Sequence, residues 1–255
     1  MDKYQRISLV VEKSHAIISL NRQGGGNALD LLMVQEFNAA LTQISENENI
    51  KALLIRASGK DFCVGGDLEY IFSEADDAQS TLTKMVQIWH QSLLRLTQIS
   101  QFVIVATRGA VAGGGIGLVL AADHVIASKS TAFCAGFSKL GLTCDSGLSW
   151  FLPRQVGPKR AKQILLSEKA IDAEQALDWG LVDELVEERD VRQCCEQLLG
   201  KMSAKASSAI PEIKKLLSLS WQNDLSEQFE LERKTIVKRA GLNDVTARVS
   251  QFLKK

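Results

Sequence analysis

Apolar and polar residues alternate in two short segments near the start of the chain, and longer apolar runs follow. Residues 6–12 and 15–20 alternate with the period of a strand, which predicts two strands joined by a turn around Lys13 and Ser14. Later apolar runs have strand length but little alternation, as buried strands do. These runs occupy residues 51–57, 102–107 and 124–128. The first half of the chain therefore predicts a sheet with a buried centre.

Apolar residues at helical spacing separate these strands. Asp30 precedes residues 31–46, whose apolar positions share one face, so we predict a helix there with Asp30 as its N-cap. Residues 78–98 show the same spacing, and residues 115–122 predict a helix that opens just after three glycines. This strand–turn–helix rhythm favours an α/β fold of stacked ββα units with helices outside a sheet.

Strand patterns nearly vanish after about residue 158. The remaining chain predicts helices over residues 159–167, 173–179, 189–202, 205–220, 224–239 and 242–252. We therefore predict a mixed α/β core of residues 1–200 that carries the functional site, and a helical region of residues 201–255 that completes its pocket and an oligomer interface. Amphipathic helices need a surface to cover their apolar faces, which favours oligomerisation.

Charge and cysteine spacing narrow the functional classes. Thirty basic residues balance thirty acidic ones, which argues against nucleic acid as a partner. The five cysteines form no CxxC pair and the three histidines lie far apart, so neither a metal site nor a disulfide framework is predicted. No stretch reaches the roughly 18–20 apolar residues of a membrane helix, and residues 1–10 lack a signal-peptide core. We expect a cytoplasmic protein without a membrane partner.

Two glycine-rich segments stand out as candidate chemistry. One is FCVGGDL at residues 62–68, and the other is GAVAGGGIGL at residues 109–118. Each alone is typical of a tight turn, and neither fits a nucleotide-binding motif. Together they offer two backbone N–H donors. Two donors aimed at one carbonyl oxygen make an oxyanion hole, which suits a thioester enolate.

The same segments resemble signatures of the crotonase, or enoyl-CoA hydratase/isomerase, superfamily. FCVGGDL resembles the family element F-[SC]-x-G-x-D-[LI], and residues 109–128 resemble its second glycine-rich element with the strand that follows. Further family signatures are matched by residues 20–30, 138–157 and 176–186. The resemblance extends over about residues 6–250. It implies a crotonase-like spiral of ββα repeats with a helical C-terminal trimerisation region, assembled as a homotrimer or hexamer.

The resemblance also implies a substrate and its contacts. The substrate is an acyl-CoA, with coenzyme A present as part of the thioester and no cofactor bound permanently. The oxyanion amides come from Gly66 and Gly114. The implied coenzyme A contacts are Arg22, Ala28, Val64, Gly65, Asp67 and Leu68. Cys63, beside the oxyanion loop, is expected to pack as a small hydrophobe rather than act as a nucleophile.

Acidic residues separate the reactions of this family. Hydratases of the family carry two glutamates, and the matching positions here are Gly117 and about Phe137, neither of which moves a proton. Asp145 remains, in GLTCDSG, where many family isomerases show G-x-x-P-D-x-G; Cys144 replaces the proline. The segment resembles that of phenylacetate-pathway isomerases. We therefore expect an enoyl-CoA isomerase of fatty acid or aromatic acid metabolism, with Asp145 as general acid/base.

Five further interpretations stay open at this point. Local sequence also allows Asp145 to be the N-cap of a helix over residues 146–152. A lone histidine on a helix, such as His90, is usually structural. Its pairing with Asp145 nevertheless resembles 4-chlorobenzoyl-CoA dehalogenase, in which the aspartate attacks the ring and the histidine activates water. The chain could also be an enoyl-CoA hydratase or an inactive acyl-CoA-binding protein. The acyl group depends on a loop over residues 69–80 and remains open.

Overall fold

A computed structural model gives the fold. It describes residues 4–22, 24–73, 77–167, 169–205 and 209–254. The chain divides into two compact units, Met1–Lys205 and Ala206–Lys255. The predicted domain boundary after residue 200 falls within the helix Val191–Lys205, so the first unit keeps the whole of that helix.

The strands of the first unit form two sheets. In chain order the strands of the described residues are β1 (Ile7–Val11), β2 (His15–Leu20), β3 (Ala52–Ala57), β4 (Phe102–Thr107), β5 (Ala110–Ala112), β6 (His124–Ser128), β7 (Ala132–Cys134), β8 (Ile171–Asp172) and β9 (Glu184–Val186). Within the described residues, the larger sheet has the order β1-β2-β3-β4-β6-β9 and the smaller one the order β5-β7-β8. The pairs β1–β2 and β7–β8 are antiparallel and the others are parallel.

Helices connect and cover these strands. In chain order they are α1 (Leu31–Ser45), α2 (Leu68–Ser73), α3 (Ala78–Gln98), α4 (Gly114–Leu120), α5 (Leu148–Gln155), α6 (Pro158–Leu166), α7 (Ala173–Asp178), α8 (Val191–Lys205), α9 (Ile210–Leu219), α10 (Leu225–Ala240) and α11 (Asn243–Leu253). Short 3-10 helices lie at Ser138–Leu140 and Glu188–Asp190. Asp30 begins α1 as predicted, because its Oδ1 accepts a hydrogen bond from the Met33 N–H at 2.7 Å.

The central strands of the larger sheet are buried on both faces, which explains their continuous apolar runs. Leu53 and Ile55 of β3 belong to the core that includes residues of α1 and α3. Leu54, between them, belongs to the opposite core with Cys195 and Leu199 of α8. Successive strand residues point to opposite faces, so each run must be apolar throughout to fill both cores. The ends of these strands are thereby held in fixed positions.

Most predicted elements are confirmed, and the exceptions are short. The strand pair, the three apolar runs and the helix over residues 78–98 are found within one residue of their predicted limits. The prediction that strands nearly vanish after residue 158 was wrong in missing β8 and β9. These strands have two and three residues, too few to show a period, and exist because they pair with β7 and β6. The helix predicted over 205–220 begins at Ile210, and residues 206–208 lie outside the described residues.

The C-terminal unit contains α9, α10 and α11. Asp224 and Glu227 form a reciprocal capping box that starts α10. The side chain of Gln228 in α10 donates to the Leu216 carbonyl of α9 at 3.2 Å. Many large apolar side chains of this unit remain exposed: Ile213, Leu217, Trp221, Leu225, Phe229, Ile236, Val237, Val249, Phe252 and Leu253. Among the helices of the described ranges, none has the length and apolar character required to cross a membrane.

Replacing Phe37 by alanine tests the core between α1 and α3. Phe37 is completely buried, and its ring centroid lies 5.3 Å from that of Trp89. The cavity left behind should lower the free energy of unfolding by about 3–5 kcal/mol. Urea denaturation followed by circular dichroism measures the change. Leu94→Ala is the control, because Leu94 is 59% exposed on α3 and its loss should cost less than about 0.5 kcal/mol. Equal losses in the two variants would contradict the described core.

Candidate active site

The two glycine-rich segments meet because one of them lacks a side chain at the contact. Cys63 pairs with Val111 in a parallel β-bridge, and the Ala112 N–H donates to the Cys63 carbonyl at 2.8 Å. A Cβ atom on Gly115 would lie 2.8 Å from both the Cβ and the carbonyl oxygen of Cys63. Any larger residue at position 115 would therefore force the segments apart. Cys63 itself is fully buried, and burial raises the pKa of its thiol to about 12 although the Gly65 N–H opposes this.

This contact presents two backbone N–H groups to one cavity. Around Gly66, the Leu29 N–H donates to the Gly65 carbonyl and the Asp67 N–H donates to the Leu29 carbonyl, at 2.7 and 2.9 Å. The parallel bridge between Leu29 and Gly66 thus leaves the Gly66 N–H pointing away from Leu29. Gly114 is the first residue of α4, where an N–H has no acceptor within the helix. In the described part of the chain, no hydrogen bond uses either N–H. Both predicted oxyanion residues line the same cavity.

The cavity has a volume of about 660 Å³ and mostly apolar walls. Its walls come from α2, α3, the two glycine-rich segments and residues 135–146. Asp145 is the one titratable side chain among the described residues that line it. The larger apolar lining residues are Leu29, Val34, Leu68, Ile71, Phe72, Leu82, Met85, Trp89, Phe137, Leu140 and Leu142. Residues 74–76 of the predicted pocket loop lie outside the described residues.

Asp145 is placed by the residues that follow it. Burial raises the pKa of its carboxyl above the usual aspartate range, while the Ser146 hydroxyl and His90 act in the opposite direction. The Ser146 Oγ donates to Asp145 Oδ1 at 2.9 Å. The N-cap of α5 is Gly147, which makes no side-chain cap, so the interpretation of Asp145 as the cap of this helix was wrong. The carboxylate is therefore free of a helix-capping role and borders the cavity.

His90 lies next to this segment but is not among the described residues that line the cavity. It is exposed on α3, and its Nε2 accepts a hydrogen bond from the Ser146 N–H at 3.0 Å. An imidazole nitrogen that accepts a hydrogen bond carries no proton, so Nε2 is unprotonated while this bond is made. The structure thus brings Asp145 and His90 close together, with Ser146 between them.

The two positions that match hydratase glutamates offer no second acid. A Cβ on Gly117 would lie 2.9 Å from the Cβ and the carbonyl oxygen of Ser146, and equally close to Leu93 Cδ1. Contacts that short force atoms to move, so a longer side chain does not fit there. Phe137 lines the cavity with an apolar ring. Within the described residues, no group of three His, Cys, Asp or Glu side chains is arranged to hold a metal ion.

The predicted coenzyme A contacts gather at one edge of the site. Val64, Gly65 and Leu68 line the cavity. The Arg22 guanidinium donates to the Ala28 carbonyl at 3.1 Å and forms an ion pair with Asp67. Burial acts to raise the pKa of Asp67, but the Tyr70 N–H and Arg22 together hold it below its usual value. The arrangement shows Arg22 joining two chain segments, and its contact with coenzyme A stays a prediction. A smaller cavity of about 230 Å³ beside it is lined by Asn21, Arg22, Gly24, Gly26, Asn27, Ser58, Gly59, Lys60 and Asp61.

Two residues of this site were not predicted from the sequence. Ser146 contacts both Asp145 and His90, and Trp89 lines the cavity with its buried Nε1 making no hydrogen bond to the described residues. Trp89 matches the apolar face of α3 and is indistinguishable from a core residue in the sequence. The Ser-Gly pair after Asp145 is a turn pattern, and it was the one sequence feature that indicated a reversal of the chain there.

Comparison with known proteins gives a consistent family. The profile described as "Enoyl-CoA hydratase/isomerase" matches residues 11–255. The chain is 32% identical over 247 residues to 1,2-epoxyphenylacetyl-CoA isomerase of Escherichia coli (strain K12), covering 96% of this chain and 94% of that protein. It is 24% identical over 241 residues to 4-chlorobenzoyl coenzyme A dehalogenase-2 of an Arthrobacter species, covering 94% and 87%. The crystal structure of an enoyl-CoA hydratase from Bacillus anthracis superposes with a TM-score of 0.91 at 28% identity, covering 98% of this chain and 96% of that one. These names describe three reactions, so similarity alone selects none of them.

A Gly117→Ala substitution tests the packing of α4 against Ser146. The added methyl group would meet backbone and side-chain atoms at 2.9 Å, and we expect a loss of about 1–3 kcal/mol in the free energy of unfolding. Thermal and urea denaturation measure it. Gly200→Ala in α8 is the matched control: no atom lies within 4 Å of its added Cβ, and helix propensity should raise stability by about 0.5–1 kcal/mol. A stabilised Gly117→Ala variant would contradict the described contact.

Proposed function

The chain belongs to the enoyl-CoA hydratase/isomerase family, and within that family we propose that it is an enoyl-CoA isomerase in which Asp145 moves the proton. Membership makes it an enzyme of this family with the predicted crotonase-like α/β fold. One observation carries the choice of reaction: Asp145 is the one titratable side chain among the described residues of the cavity. A double-bond shift needs a single group that takes a proton and returns it.

The proposed substrate is a 3-enoyl-CoA whose thioester oxygen accepts hydrogen bonds from the Gly66 and Gly114 N–H groups. These donors stabilise the negative charge that develops on this oxygen when the α-proton leaves. In other enzymes, loss of one such donor costs about 10²–10³ in kcat. Both N–H groups are already in place and unused within the described residues, so they need no rearrangement to accept the charge.

Asp145 performs the proton transfer in this proposal. Its carboxylate takes the proton from the α-carbon, and the electron pair of that C–H bond becomes a double bond to the carbonyl carbon of the enolate. The protonated Asp145 then gives the proton to the γ-carbon, which binds it with the electron pair of the C3–C4 double bond. The C1–C2 double-bond pair of the enolate moves to C2–C3, and the oxyanion pair restores the thioester carbonyl. No atom is gained or lost overall. Burial raises the pKa of Asp145, which brings it closer to the pKa of the carbon acid that it deprotonates.

Coenzyme A enters this proposal as part of the substrate. Val64, Gly65 and Leu68 border the cavity and Arg22, Ala28 and Asp67 form the adjoining cluster, so these six residues are the proposed coenzyme A contacts. The predicted absence of a permanently bound cofactor and the predicted cytoplasmic location stay predictions.

Hydration is less well supported by the same geometry. Water addition by the usual pair of glutamates needs a second acid in the cavity. Gly117 has no room for a side chain beside Ser146, and Phe137 offers an apolar ring.

A hydrolytic enzyme with Asp145 as nucleophile and His90 as base is the second candidate. The observation that favours it is the link from His90 through Ser146 to Asp145. However, His90 Nε2 is occupied by the Ser146 N–H, and this nitrogen would have to give up that bond to accept a proton from water. Reaction of 4-chlorobenzoyl-CoA in ¹⁸O water with label found in Asp145 by mass spectrometry would support this candidate instead.

Replacing Asp145 by asparagine tests the isomerase assignment. We expect turnover of a 3-enoyl-CoA to fall by about 10²- to 10⁴-fold, because asparagine cannot accept the proton, while binding of a saturated acyl-CoA changes little. Formation of the conjugated 2-enoyl-CoA is followed by absorbance, and mass spectrometry confirms that no mass is gained. Asp178→Asn is the control: it makes the same chemical change at an exposed residue of α7 and should keep full activity.

A loss of activity in this variant should not reflect unfolding. The folded protein holds the Asp145 pKa above its unfolded value, so the contribution of this group to stability is present at low pH and lost as pH rises through the folded pKa. At neutral pH, asparagine removes the free-energy cost of burying an ionised carboxylate. The variant should therefore melt no lower than the wild type. Full activity of Asp145→Asn would contradict the assignment, as would a wild type that binds but never converts acyl-CoA esters.

The exposed apolar residues of the C-terminal unit support a proposed homotrimer or hexamer. Side chains such as Phe229 and Leu225 are 60% and 69% exposed, which is costly in an isolated chain. Mass photometry should therefore give three or six times the 28.0 kDa of one chain. Phe229→Glu should lower that mass, and a wild type that stays monomeric at micromolar concentration would contradict the proposal.

A further inference from the structure

Ser146 has a backbone conformation that serine rarely adopts. Its φ is +54°, and the next residue, Gly147, has a φ of +76°. Among the described residues, Asn27 is the other non-glycine residue with positive φ, and asparagine tolerates that region better than serine. Ser146 is also completely buried. A glycine would fit this position with less strain, so the serine side chain is expected to have a function.

Both polar ends of Ser146 contact the candidate catalytic groups. Its Oγ donates to Asp145 Oδ1 at 2.9 Å, and its N–H donates to His90 Nε2 at 3.0 Å. Its Cβ and carbonyl oxygen lie 2.9 Å from the point where Gly117 of α4 would carry a Cβ, and its Oγ lies 3.2 Å from the corresponding point at Gly114. The serine is therefore fixed between α3 and α4, beside the oxyanion amide.

We propose that Ser146 is a positioning residue for Asp145: its hydroxyl holds carboxylate oxygen Oδ1 and leaves Oδ2 to carry the proton between the two substrate carbons. This inference rests on the proposed isomerase function. A carboxylate that returns a proton to a different carbon has to keep one orientation during both transfers, and a hydrogen bond to one oxygen provides that restraint. His90 then acts through the Ser146 backbone rather than on the substrate.

The same hydrogen bond favours the ionised form of Asp145. Among the described residues, His90 of α3 is the titratable group that contacts this turn, Cys144 precedes Asp145 in the chain, and α4 contains no titratable side chain. Arg154 of α5 is directed to the Trp150 ring and carbonyl. A hydroxyl donor stabilises the ionised carboxylate and so lowers its pKa. Without this donor, less opposes the rise in pKa that burial causes. The pKa of Asp145 should then rise further.

Two variants that delete the hydroxyl test this proposal. Ser146→Ala keeps the backbone strain and Ser146→Gly relieves it, so an effect shared by both belongs to the hydroxyl. In both, kcat for a 3-enoyl-CoA should fall on the order of 10- to 100-fold, as for a hydrogen bond to a charged group, with little change in KM. Activity requires ionised Asp145, so the acidic limb of the kcat/KM profile should move to higher pH.

Two further variants separate a positioning role from a structural one. Ser146→Thr restores the hydroxyl, and its pH midpoint should return toward the wild-type value even if its rate stays low. Ser149→Ala removes an exposed hydroxyl three residues further on and should change neither rate nor pH profile. Wild-type pH midpoints in both Ser146→Ala and Ser146→Gly would overturn the proposal.

A titration independent of turnover separates this inference from the proposed function. With ¹³C-labelled aspartate, the carboxyl resonance of Asp145 is identified by its absence in Asp145→Asn. Its midpoint should be higher in Ser146→Ala and Ser146→Gly than in the wild type. A wild type without isomerase activity would refute the proposed function while this titration still tests the Ser146–Asp145 contact. Unchanged midpoints in an active enzyme would refute the contact alone.

Discussion

The site depends on the close approach of two backbones where Gly115 meets Cys63. The strands β3 and β4 are parallel neighbours, so the segments that follow them leave the same edge of the sheet. Their contact is possible because position 115 has no Cβ. This approach brings Gly66 and the start of α4 at Gly114 to one cavity, and the bridge between Leu29 and Gly66 orients the Gly66 N–H. The buried sheet acts as the rigid support that keeps the two N–H groups at a fixed separation.

Exclusion of water affects each part of the cavity in a different way. Gly114 is buried and Gly66 is exposed, so an acyl chain that fills the apolar cavity would displace solvent from the Gly66 N–H and strengthen its hydrogen bond to the thioester oxygen. The same burial disfavours the ionised form of Asp145. Ser146 limits this penalty by donating to the carboxylate. The site therefore balances apolar surroundings for the acyl group against a carboxylate that has to ionise in the proposed reaction.

Sequence patterns revealed the elements whose cause is local, and missed those whose cause is tertiary. The N-cap at Asp30 and the limits of α3 follow from neighbouring residues, and both were predicted. The strand Ile171–Asp172 exists because it pairs with β7, and no window of the sequence contains that information. The role of Asp145 was ambiguous for the same reason. Its local context suits a helix cap, and the identity of Gly147 as the actual cap depends on how Ser146 packs against α4. The glycine-rich segments were recognised by family resemblance, since their individual patterns are common.

The contact between Gly117 and Ser146 makes these two positions dependent on each other during evolution. A glutamate gained at position 117 meets the Ser146 backbone, and movement of that backbone displaces Asp145. A single substitution that adds an acid at position 117 would thus displace the carboxylate that already borders the cavity. Gain of such an acid requires the 145–147 turn to be rebuilt together with α4. The packing that fixes Asp145 in place also separates this sequence from one with a glutamate at position 117 by a step that is unfavourable when taken one residue at a time.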